Sequence, residues 1–215
     1  MKWCFLLGIL GLALFEAAKV YLIMPLPGSQ PLGAVDIAYQ LHSWRWPVRI
    51  VLVLLIVVGS VPVWLAGKSA RGWGLAALLL VAALGWFANF RMAADQMFRQ
   101  PATLLMANPA DNAVALDRLV IGVSRQGEAR AYPIQYIGYH HQVRDSLAGE
   151  PILVSYCTVC RTGRVFEPVI DGQPESFRLV GMDRWNAMFE DSGSGSWWRE
   201  ANGEAISGPR KGQML

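Results

Sequence analysis

Two cysteines spaced as Cys157-Thr-Val-Cys160 carry the most concentrated chemistry in this 215-residue chain. The third cysteine, Cys4, lies at the opposite end in an apolar run, so Cys157 and Cys160 are each other's natural partners. Three chemistries suit such a pair. As a metal knuckle, two thiolates on a tight turn supply half of a tetrahedral site. His140 and His141 stand upstream and offer nitrogen, so two sulfurs and one imidazole with an open position would suit zinc or copper. As a redox dithiol, the first cysteine should open a helix whose dipole lowers its pKa. Here Arg161-Thr-Gly163 leads instead into β-type Val165-Phe166, although Arg161 and Arg164 would favour a thiolate. As a local disulfide, the pair would be a staple in an oxidising compartment. The turn-like context favours the knuckle, with His141 as the expected third ligand. Asp145 stands four residues after His141, where one helix face would let it orient the imidazole.

Other catalytic patterns find no support. No Gly-x-Ser-x-Gly occurs, which removes the common serine-hydrolase arrangement. Ser192-Gly-Ser-Gly-Ser196 lacks the Lys-Ser/Thr and helix start of a phosphate loop and reads as a flexible hairpin turn. Asp183 and Arg184 are further polar residues of interest, while Trp185, Trp197 and Trp198 read as core or hairpin-stacking residues.

The elements that must position these groups begin after a linker through Pro101 and Pro109, with one or two helical turns expected over 111–119. Short β-type runs recur at 119–124, 129–134, 152–156, 164–170, 176–180, 187–190 and 196–199. Gly, Asp and Pro separate them at intervals near ten residues, the signature of antiparallel structure. Residues 136–145 are the best helix candidate. The expected fold of 95–215 is therefore a mainly-β or α+β domain.

Composition assigns the rest of the chain to lipid. Charged residues make up only 16% against 53% hydrophobic, well short of the roughly 25% charged in a soluble domain. Residues 1–94 hold seven basic residues against Glu16 and Asp36, a surplus of five, and the remaining 12 basic and 14 acidic residues leave 95–215 slightly acidic. A nucleic-acid footprint would be a basic face on the folded domain, so no nucleic-acid partner is expected. Runs 50–67 and 72–90 carry no charge and match the roughly 20 helical residues that cross a hydrocarbon core. Trp44, Trp46, Trp64, Trp73 and Trp86 lie near their ends, where indole rings favour the headgroup region. Spanning helices are expected near 3–24, 47–67 and 72–91, with a short interfacial helix between the first two and His42 at headgroup level.

The first of these runs admits two readings. Lys2, a short apolar stretch and Ala17-Ala18 resemble a signal peptide. Apolar residues resume after Lys19, however, which favours a retained helix containing Glu16 and Lys19 on one face. The near-even balance of Lys2, Lys68 and Arg71 against Arg45, Arg49, Arg91 and Arg99 leaves the inverted arrangement open. From a start inside, however, the chain after Arg91 is expected on the outer side either way. A retained helix makes three crossings, and a cleaved leader leaves two crossings from an outside start. The domain is thus expected to be extracytoplasmic on a multi-pass membrane protein.

With these residues in view, 129–212 resembles domain-of-unknown-function family 3179. The resemblance is carried by Ala131-Tyr-Pro-Ile134, His140-His-Gln-Val-Arg-Asp145, Gly149-Glu-Pro-Ile-Leu-Val-Ser-Tyr-Cys-Thr-Val-Cys160 and Gly203-Glu-Ala-Ile-Ser-Gly-Pro209. It implies a secreted or membrane-tethered bacterial or archaeal protein and supplies no reaction. Thr158 stands where relatives usually have Pro, and Arg161 where they have a small or amide residue. Relatives tend to continue beyond the position of Leu215, which implies a C-terminally incomplete domain. The expected function is metal binding or thiol redox work on the lipid bilayer, with another envelope protein as partner. The alternative is a non-catalytic structural or interaction domain whose cysteines form a local disulfide.

Overall fold

The computed structural model describes residues 2–215. The chain divides into two compact units, 1–93 and 94–215.

The first unit is helical: α1 (Lys2–Ile23), α2 (Val35–Ser43), α3 (Arg45–Leu65) and α4 (Lys68–Trp86). α4 continues through a π-turn at Phe87–Arg91. Three spans, Lys2–Ile23, Arg45–Leu65 and Lys68–Arg91, are long and apolar enough to cross a bilayer. At about 1.5 Å per residue, each reaches roughly the 30 Å of a hydrocarbon core. Leu10, Leu14, Val57, Leu79 and Leu80 are exposed on them. Apolar surface of that kind is stable against lipid tails and costly against water. α1 and α3 meet backbone to backbone. A Cβ on Gly59 would fall 2.1 Å from the Phe5 nitrogen, and one on Gly8 would fall 2.6 Å from Ile56 Cγ1. Small residues allow this approach, and packing at short range replaces the hydrophobic drive that lipid removes.

Polar groups tie the same helices together. Glu16 of α1 is only 2% exposed. It accepts hydrogen bonds from Arg49 Nε (2.7 Å) and Nη2 (3.0 Å) of α3 and from Asn89 Nδ2 (2.8 Å) in the π-turn. Lys19 adds a fourth donor at 3.2 Å, and Arg49 also donates to Asn89 Oδ1 at 2.7 Å. The Glu16/Lys19 pair is therefore an internal contact of the helices.

The second unit is antiparallel throughout. It contains a short α5 (Ala94–Met97), the hairpin β1 (Val120–Arg125) and β2 (Glu128–Pro133), and α6 (Ile134–His140). Then come β3 (Gln142–Leu147), β4 (Glu150–Cys157) and β5 (Thr162–Phe166) in one sheet, and a small ribbon of β6 (Val169–Ile170) and β7 (Gln173–Pro174). β8 (Phe177–Asp183), β9 (Asn186–Asp191), β10 (Trp197–Arg199) and β11 (Glu204–Ser207) form a four-stranded meander. Tyr132, Ile137, Val143, Leu147, Ile152 and Val154 make one apolar core that joins α6 to the β3–β4 pair. Trp197 and Trp198 are buried in the meander, and their indole N–H groups donate to Glu190 (2.9 Å) and Asp191 (2.7 Å). A register shift between them lets two consecutive side chains both turn inward.

Two local expectations are corrected. The helix expected over 136–145 stops at His140, because His141 adopts a left-handed conformation (φ 61°) and the chain turns into β3. Pairing of β3 along the buried β4 outweighs local propensity there. Helical structure over 111–119 is limited to a 3-10 turn ending at Asp111. The serine-glycine segment is a turn as expected, but it is tied down: Asp191 accepts from Ser194 N–H and Oγ, and Arg210 Nη1 donates to Asp191 at 3.0 Å.

Candidate metal centre

The two cysteines sit at the end of the hairpin formed by β4 and β5. β4 presents Ile152-Leu-Val-Ser155 as a buried run, and Cys157 pairs with Thr162 to close the turn. Arg161 takes a left-handed conformation (φ 53°) just after Cys160, which folds the loop back on itself. The Cys160 N–H consequently points at Cys157 Sγ, at 3.3 Å. An N–H directed at sulfur favours the thiolate form that a metal requires.

A third group arrives from the other sheet. Glu200 directly follows β10, and its N–H donates to the Ala187 carbonyl of β9 at 2.8 Å. This backbone anchor buries the side chain to 1% exposure. Ser155 Oγ donates to Glu200 Oε1 at 2.8 Å, while Oε2 lies 3.9 Å from Cys160 Sγ. The ligand atoms of Cys157, Cys160 and Glu200 all lie within 4.8 Å of one another, a grouping able to hold a metal ion.

The electrostatics suit a cation at this point. Burial pushes Glu200 up to about 7, against the opposing effects of Ser155 and Arg164. Burial, helped by the neighbouring Cys160 thiol, pushes Cys157 up to about 11. Cys157 and Glu200, both buried, are each pushed toward the protonated form, because ionising either alone would leave a charge poorly solvated. A divalent cation can replace those protons and satisfy all three at once. The same surroundings oppose a free nucleophilic thiolate. Cys157 opens no helix, and its pKa moves away from the range of reactive cysteines.

The histidines lie outside that grouping. His140 Nδ1 hydrogen-bonds the Arg99 carbonyl, and the His141 ring packs edge-on against Phe98 with centroids 4.6 Å apart. Both thus hold the segment that follows α5. His141 is buried and its pKa is lowered by that burial, and its Nδ1 has no hydrogen-bond partner among the described residues. Asp145 lies on β3, where Arg130 and Tyr132 Oη (2.7 Å) bind its carboxylate. Although burial alone would raise its pKa, those donors hold it below the usual carboxylate range. Asp183 pairs with Arg199 Nη2 at 2.6 Å.

Glu200 escapes sequence reasoning because nothing local marks it. It is one acidic residue after a strand, 40 positions from Cys160. Only the pairing of β9 with β10 carries it to the sulfurs.

A family model described as "Protein of unknown function (DUF3179)" matches residues 100–215, more than half of the chain. No curated protein and no solved structure matches.

Proposed function

The chain belongs to the DUF3179 family, whose description assigns no function, and we propose that its domain binds one zinc ion through Cys157, Cys160 and Glu200. The convergence of three ligand atoms within 4.8 Å carries this reading. Two thiolates and a carboxylate are all known zinc ligands, whereas copper(I) prefers softer donors than a carboxylate oxygen. Elemental analysis of the full-length protein, purified in detergent with reductant, is expected to give one zinc per chain. A metal-free protein with a Cys157–Cys160 disulfide that resists reduction would overturn it and leave the pair as a structural staple.

One observation favours thiol redox work as a second reading. The Glu200 carboxyl beside Cys160 is placed to accept a thiol proton. That reading requires a metal-free protein with an exchangeable disulfide, at roughly −120 to −270 mV.

The site in this reading works outside the cytoplasm, anchored by the three spans to the bilayer and acting on another envelope protein rather than on nucleic acid. Support comes from the convergence of both N-terminal arrangements on that side and from the acidic balance of 95–215. A phosphatase active only after export, fused at Ala110, is expected to be active. Activity of a cytoplasmic reporter at the same position would reverse the placement.

A further inference from the structure

Three protein ligands leave a tetrahedral ion one position short. Structural zinc sites normally close with four protein donors, while three leave room for an outside ligand. Among the described residues, no fourth His, Cys, Asp or Glu donor joins the grouping of Cys157, Cys160 and Glu200.

The surroundings of the site are cationic and exposed. Arg161 follows Cys160 directly, and Arg164 Nε donates to the carbonyl of Ala201, next to Glu200, at 2.7 Å. Arg184 and Trp185 form the tip of the β8–β9 hairpin, with the Trp185 carbonyl 3.9 Å from Cys157 Sγ. All three guanidinium-bearing residues are exposed, as are Val159 and Trp185. The hairpin tip is also strained. Arg184 (φ 47°) and Trp185 (φ 68°) are consecutive left-handed residues where Asn-Gly is the usual choice. A bulky side chain held in that region costs conformational energy and points to a use for the residue.

Charge decides which ligand belongs here. Two thiolates and a carboxylate around a divalent ion leave a net charge of about −1, so an added anion is repelled unless cations stand nearby. Arg164, whose charge acts on Glu200, stands near, and the backbones of Arg161 and Arg184 adjoin Cys160 and the residue facing Cys157. We infer that the open coordination position takes one oxygen of a small oxyanion, a carboxylate or phosphate group, drawn in by Arg161, Arg164 and Arg184. This rests on the zinc reading above.

The test uses full-length reduced protein in detergent, loaded with cobalt(II) in place of zinc. Acetate and inorganic phosphate are the probes, with imidazole as the neutral control. A thiolate-to-cobalt charge-transfer band reports the metal site, and the visible d–d bands report the open position. Saturable movement of the d–d bands by acetate or by phosphate supports the inference, and the stronger probe identifies the source. The double variant R161Q/R184Q is expected to weaken that saturation about tenfold, the combined effect of two unit charges in largely screened, exposed surroundings, while the charge-transfer band persists. A charge-transfer band whose d–d region ignores both anions, or answers only to imidazole, overturns the inference and leaves the metal site standing. Absence of the charge-transfer band overturns the metal reading and this inference together.

Discussion

Serine in place of either Cys157 or Cys160 is expected to abolish stoichiometric zinc binding. A hydroxyl stays protonated where a thiol ionises, so each exchange removes one of only three protein donors. Glu200→Gln keeps the shape and removes the charge. It should weaken affinity by at least the roughly 10–100-fold that even an outer-shell partner contributes. Ser155→Ala removes the donor to Glu200 Oε1 and should fall near the lower end of that range. Protons compete with the metal for both sulfurs and for Glu200, so binding releases protons and affinity weakens as pH falls. His141→Ala separates the two possible ligand sets. With Glu200 as third ligand, its zinc affinity stays close to that of the parent. A loss of tenfold or more would restore the imidazole as a ligand and displace Glu200. Competition with a chromophoric chelator measures each affinity directly.

Glu16→Ala should destabilise the helical unit by about 3–5 kcal/mol, the usual cost of removing one partner from a buried ion pair. The exchange leaves Arg49 and Lys19 near one another without their shared carboxylate, and Asn89 Nδ2 with only the Gly85 carbonyl to accept from it. Titration of the full-length protein with SDS in mixed micelles, followed by helix-dependent circular dichroism, reads the loss. The double variant Glu16→Ala/Arg49→Leu supplies the control. It removes the charge on both sides of the strongest pair and should be less destabilised than Glu16→Ala alone. Equal stability of Glu16→Ala and the parent would show that the polar contacts add nothing to helix packing at Gly8 and Gly59.

Much of this protein is written locally in its residues. Uncharged runs of about spanning length place two helices without reference to any neighbour, and an apolar run broken only by Glu16 and Lys19 places the first. The reason is that hydrocarbon accepts only a long apolar segment with its backbone satisfied internally. Most strands of the second unit are legible for a related reason. Alternation between turn residues is a property of the segment itself. β3 is the exception. Its residues 142–145 pass for the end of a helix until the left-handed His141 and the buried β4, with which β3 pairs, are present together.

The candidate site divides in the same way. Cys157 and Cys160 are three positions apart, so any tight turn between β-type runs brings their sulfurs together, and spacing alone identifies them. Which side chain completes the group depends on how two sheets pack, and packing joins residues that carry no mark of it in the chain. His141, sixteen positions before Cys157, turns toward Phe98. Glu200, forty positions after Cys160, is delivered by the β9–β10 ladder. Glu16 shows the same logic in the helical unit. Its charge and its apolar surroundings are plain from the chain, but Arg49 and Asn89 become its partners only when three helices close around it. Most segments and the cysteine pair are thus legible in the chain, because they depend on short-range geometry. The third member of the cysteine grouping and the buried ion pair come only from packing, because burial makes an isolated charge costly and each must find its partner wherever the fold provides one.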